Sequence, residues 1–132
     1  MSESEGEEIQ YTEKEVINKL LADACGDGEF EVVKYLVNRK HADINNEYYP
    51  LHKAVAYDEF EIIKFLVEKG AGVNKKDCNG DYAIQGTWDR KIQLYLIEHG
   101  ANILHDININ DGEILKQAEE YARELFLDKY KK

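Results

Sequence analysis

The sequence predicts an all-α solenoid of stacked helix-turn-helix pairs joined by short hairpin fingers, and three observations predict it. Residues 20–37, LLADACGDGEFEVVKYLV, and residues 50–67, PLHKAVAYDEFEIIKFLV, match at a spacing of 30. Eight of the eighteen aligned positions are identical, and Val32/Ile62, Val33/Ile63 and Tyr35/Phe65 are close in shape. Inside each copy the apolar residues recur three and four apart, which is helical spacing. After each copy comes a related phrase, His41-Ala42-Asp43-Ile44-Asn45 and then Gly70-Ala71-Gly72-Val73-Asn74, and a third instance follows at Gly100-Ala101-Asn102-Ile103-Leu104. A unit near this length cannot bury its apolar face alone and does so against its neighbours, so function is sought on a shared surface rather than in one pocket.

The elements follow in order. Met1 to Gln10, with Glu3, Glu5, Glu7 and Glu8 and little to bury, reads as a flexible acidic tail, which leaves 11–132 as a single domain. Val16, Ile17, Leu20, Leu21 and Ala24 define a first helix over Tyr11 to Cys25, with Thr12 as N-cap and Glu15 as its reciprocal partner. Gly26, Asp27 and Gly28 break it, and Phe30, Val33, Tyr35, Leu36 and Val37 start a second helix. The next pair repeats the layout: Pro50 in a first turn, Leu51, Ala54 and Val55 inward, a break near Asp58, then Phe60 to Val67. Gly70 and Gly100 supply left-handed residues at helix exits. Approximate unit boundaries are 12–45, 46–74 and 75–104, and Glu113 onward reads as the closing helix of a capping unit over 105–130. The inward set is expected to be Leu21, Ala24, Val33, Leu36, Leu51, Ala54, Ile63, Leu66, Leu94 and Ile97.

Tyr49-Pro50-Leu51-His52-Lys53-Ala54, followed by Glu61 to Asn74, resembles the ankyrin repeat, whose signature is a T-P-L-H-x-A opening and a period of about 33 residues. The likeness covers about residues 14 to 130, with Asn46 to Asn74 the best copy and divergent ends as caps. Three departures stand out. Tyr49 replaces the Thr whose hydroxyl in the family ties the turn to the His, which deprives His52 of an ordinary partner. Only four residues separate Asn45 from Pro50, where the finger from Lys75 to Tyr82 has the family's eight, so one finger is cropped. In the third unit Ala83-Ile84-Gln85-Gly86-Thr87-Trp88 stands in for the Pro-Leu-His opening and runs short, which predicts a stunted inner helix.

Composition narrows the function. Seventeen basic against 27 acidic residues give a formal net charge of -10, which argues against nucleic acid and anionic lipid and favours a partner with a basic surface. No apolar run reaches membrane-spanning length. Cys25 and Cys78 lack metal-type spacing and follow no secretory signal, so a cytoplasmic protein is expected. Cys25 aligns with Val55 and reads as a small buried side chain. His41, His52, His99 and His105 form no ligand pattern, and Asp106 to Gly112 fails as a calcium loop because Asp111 and Gln117 occupy the positions of the required Gly and Glu. No metal, cofactor or catalytic residue is expected.

The resemblance implies that recognition uses finger tips and the exposed faces of the first helices. Those positions hold Asp23 and Asp27 in the first unit, Glu47, Tyr48, Tyr49, Lys53 and Tyr57 in the second, and Asp81, Tyr82, Trp88 and Asp89 in the third. Carboxylates accept from Arg or Lys, while aromatics supply contact area at small entropic cost. Tyr82 and Trp88 have a second reading, as fillers of the gap beside the shortened helix. The expectation is therefore a monomeric, non-enzymatic protein-binding module, as an inhibitor or immunity-type protein or as an adaptor or host-targeting effector. An enzyme with an unrecognised site is the runner-up class.

Overall fold

The computed structural model describes residues 11–101 and, beyond them, Glu120, which is helical and exposed. The expected acidic tail, the Asp106 to Gly112 turn and the rest of the capping unit lie outside the described residues. Among these residues the elements are α1 (Glu13–Asp27), α2 (Phe30–Asn38), α3 (Pro50–Ala56), α4 (Phe60–Glu68), a 3-10 helix (Ala83–Gly86) and α5 (Arg90–Glu98), with no strand.

Local chemistry sets the helix ends. The Thr12 hydroxyl accepts from the Glu15 N–H at 3.1 Å while the Thr12 N–H donates to the Glu15 carboxylate, which is the expected reciprocal cap. The helix runs two residues past Cys25, because Gly26 and Asp27 remain helical and the stop comes at Gly28, left-handed at φ 75°. Asp58, thirty residues on, takes the same left-handed turn at φ 56°. The third inner helix is stunted as expected: four residues of 3-10 helix replace the seven of α3.

The inner layer stacks α1 on α3 and α3 on the 3-10 helix, while α2 and α4 pack together in the outer layer. Leu21, Cys25, Val33, Leu51, Ala54, Val55, Ile62, Ile63 and Leu66 are buried between the pairs. The expected inward set fails in the third unit, where Ile92 and Leu96 are buried and Leu94 and Ile97 only half-buried. The pattern Ile62/Leu66 continues to Ile92/Leu96 at the same spacing of 30, so the repeat register was the better guide than hydropathy within α5. Two edge-to-face ring pairs tie the outer layer across units, Phe30 to Phe65 at 5.7 Å and Phe60 to Tyr95 at 5.6 Å.

Asparagine side chains join successive units where the helices end. Asn18 accepts from the Asp43 N–H at 3.0 Å. Asn45 accepts from the Gly72 N–H at 2.8 Å and donates to the Gly70 carbonyl at 3.2 Å, and Asn74 donates to the Gly100 carbonyl at 2.9 Å. Each satisfies backbone groups that the helix exits leave without helical partners.

Candidate partner-binding surface

The cropped finger is built from side chains that compensate for its missing residues. Asn46 is buried; its amide donates to the Asn18 and Asp43 carbonyls at 3.1 and 2.8 Å, and its oxygen accepts from the Tyr48 N–H at 2.8 Å. The ammonium of Lys75 reaches in from the next unit to the Asn45 and Asn46 carbonyls and sits 5.2 Å from the centroid of the Tyr49 ring. Tyr49 itself is left-handed at φ 56° and meets the His52 ring edge-on at 5.5 Å. His52 does find a partner, although the family's Thr is absent: Nε2 donates to the Asp81 carbonyl at 2.9 Å, linking one finger to the next.

The full finger closes through the backbone, with Asp77 N–H to Asp81 O at 2.9 Å and Gly80 N–H to Asp77 O at 3.0 Å. The Asp77 carboxylate accepts from the Asn79 and Asp81 N–H groups at 2.8 and 3.0 Å. Those bonds, the one from Asp81 first, hold its pKa below the usual aspartate value. Tyr82 is half-buried beside the finger, its N–H donating to Gln85 at 2.6 Å and Lys76 lying over its ring.

At the other end of the inner helices lies a second edge. The Tyr57 ring covers Gly26, where a methyl group would meet it at 3.4 Å, and remains 64% exposed. One unit on, Thr87 is buried; its hydroxyl donates to Asp58 at 2.7 Å and accepts from the Asp89 N–H at 3.0 Å. The Asp89 carboxylate caps α5 by accepting from the Lys91 and Ile92 N–H groups at 2.9 and 3.3 Å. Trp88 sits between these two pinned residues and is 80% exposed. Filling the gap beside the 3-10 helix is therefore excluded for Trp88.

The eleven residues singled out in the sequence thus fall into two groups. Glu47, Tyr48, Tyr49, Asp81 and Tyr82 stand on the finger edge. Asp27, Tyr57, Trp88 and Asp89 stand on the edge where inner helix turns to outer helix, with exposed Asp23 and Lys53 on the helices between. Tyr49 and Tyr57 flank α3, which separates them by about 12 Å along its axis. Asp23 is paired with Lys19 at 3.2 Å. The compensating residues Asn18, Asn46, Lys75 and Thr87 were missed by sequence reasoning, because each acts on a partner 25 or more residues away. A polar residue at an otherwise inward repeat position was the available signal for Asn18 and Asn46.

Cys25 is buried, and burial pushes its thiol up to about 12, so it carries no thiolate near neutral pH; Cys78 is an exposed free thiol on the finger. No helix among the described residues is long and apolar enough to cross a membrane.

Residues 8–77, just over half the chain, match the family model described as three copies of the ankyrin repeat. The match ends inside the full finger, before the 3-10 helix. Among curated proteins, an ankyrin repeat-containing protein of Schizosaccharomyces pombe is 39% identical over 62 residues, spanning 44% of this chain and 30% of that protein. The BTB/POZ domain-containing protein 3 of the same organism is 31% identical over 83 residues, 60% of this chain and 16% of that protein. Alpha-latrocrustotoxin-Lt1a of Latrodectus tredecimguttatus is 38% identical over 53 residues, 37% of this chain and 4% of that protein. The matched stretches span less than a third of each of these relatives.

Proposed function

The chain belongs to the ankyrin repeat family, and from that premise we propose a non-catalytic module that holds a basic protein segment across its inner helices, anchored at Trp88 and Tyr57. The observation that carries the reading is the posture of Trp88. Its neighbours are fixed by hydrogen bonds on both sides, so the backbone beneath an 80% exposed indole is already ordered. A preordered aromatic loses little entropy on binding and supplies a large contact area, which is how binding hot spots arise. Asp27, Asp58 and Asp89 bring negative charge to the same edge, and the chain carries -10 overall, which draws a basic partner by long-range attraction. A cytoplasmic inhibitor that neutralises a basic protein fits these features; an adaptor or effector would use the same surface.

The test is affinity capture from the source lysate with the wild type and with Trp88→Ala, Tyr57→Ala, Asp27→Ala and Asp81→Ala, followed by surface plasmon resonance on what is captured. Loss of either aromatic should speed dissociation and cost about 2 kcal/mol or more. Loss of either acid should mainly slow association and flatten its salt dependence. Binding that survives all four substitutions and falls with changes on α2 and α4 would move the site to the outer layer.

A further inference from the structure

The outward face of the first helical pair is apolar. Val16, Leu20, Val32 and Tyr35 are 43%, 49%, 41% and 52% exposed. At the repeat spacing of 30 these positions become Asn46, Pro50, Ile62 and Phe65, of which the first three are buried and Phe65 packs on the ring of Phe30. The second unit thus uses these positions to receive the first. Position 35 begins a row whose next members, Phe65 and Tyr95, each meet a ring of the preceding unit at 5.7 and 5.6 Å. Tyr35 has no preceding unit among the described residues. A solenoid end left to water needs a polar outer face, and this one keeps the apolar residues of an internal interface.

We propose that this face is a self-association surface, on which a second copy of the chain docks head to head. Three observations select that occupant. The face continues a stacking interface that the molecule already uses, so helical pairs of this same kind are what it fits. Residues 11–40 carry six acidic and five basic side chains, so this unit is close to neutral inside a chain of -10, and two copies meet there without the repulsion that the whole molecules would feel elsewhere. Head-to-tail stacking is disfavoured because Phe30 and Phe60, the rings offered to a following unit, are replaced by Arg90 in the third. An isologous contact places the same apolar patch on both partners and closes at two copies.

The experiment is sedimentation velocity on the full chain over a range of concentrations, alongside Leu20→Glu, Tyr35→Glu and, as a separate control, Trp88→Ala. A concentration-dependent dimer in the wild type and in Trp88→Ala, with Leu20→Glu and Tyr35→Glu monomeric and unchanged in helical circular dichroism and Tm, bears the inference out. A wild type that stays monomeric throughout overturns it. So does a dimer that both face variants leave intact, and so does a monomer whose Tm drops in those variants, since the face would then be covered by the chain's own residues. Trp88→Ala separates this surface from the partner-binding edge: a dimer lost in that variant alone overturns the inference and leaves the partner site to be judged by its own assay.

Discussion

At the scale of single residues, the left-handed backbone positions decide which substitutions this chain gains from. Gly70 and Gly100 end their helices at φ 104° and 97°, but the matching exit from α2 is His41 at φ 55°, with an exposed side chain. A residue with a Cβ is strained there and glycine is not, so His41→Gly should raise stability by about 0.5 kcal/mol after the added flexibility of the unfolded chain is subtracted. Asp58 is the contrasting case. It is left-handed too, yet its carboxylate accepts from the buried Thr87 hydroxyl, so Asp58→Gly should lose what the backbone gains. Urea melts of the two variants side by side distinguish strain relief from hydrogen-bond loss. Asp77 gives a prediction in pH. Its folded pKa lies below the ordinary aspartate value because two N–H groups bond the charged form. A depressed carboxylate contributes stability that is present above the unfolded pKa, about 4, and is lost as pH falls through the folded value. Amide shifts of Asn79 and Asp81 should therefore move together below about pH 4, and Asp77→Asn should abolish that titration.

At the scale of elements, the cropped finger shows which parts of a structure are legible in a sequence. Counting four residues between Asn45 and Pro50 was enough to foresee that no full finger forms there, and Pro50 fixed where α3 begins. The stunted third helix followed from the same kind of count. Neither count could reveal what holds the short turn, because Asn46 and Lys75 act on groups that adjoin them only after two units have stacked. The register of α5 was misjudged for a related reason: within nine residues Leu94, Leu96 and Ile97 are equally apolar, and only stacking selects Leu96. The site was legible as a set of residue types but not as two edges, since that division depends on which end of α3 each residue occupies. Asn46→Ala should leave the Asn18 and Asp43 carbonyls and the Tyr48 N–H without their partner inside the stack, and should cost about 1–3 kcal/mol. A change of only a few tenths in urea denaturation would show that water replaces the amide at no cost. Hydrogen exchange at the Tyr48 amide supplies the local readout, rising in the variant while amides of α5 stay protected.

At the scale of the whole molecule, stability in such an array is close to a sum of unit stabilities and nearest-neighbour contacts. The second unit then carries the most weight, because it alone among the described pairs is stacked on both sides by another described unit. Leu66 lies at its centre, fully buried, in the row Leu36, Leu66, Leu96 that runs through the outer helices. Removing its side chain forfeits the transfer energy of the lost methyl and methylene groups and opens a cavity that the rigid helices cannot close, which costs about 2–5 kcal/mol. Leu36→Ala, in an end unit whose outer face is already open, should cost less, because the surrounding residues can relax into the space. The comparison tests coupling as well as packing. If the units unfold together, Leu66→Ala lowers the urea midpoint with an unchanged m-value and a single transition by both circular dichroism and Trp88 fluorescence. Two separated transitions in that variant would mean that contact through the second unit is too weak to make the array cooperative, and the partner-binding edge around Trp88 would then be held by the third unit rather than by the stack.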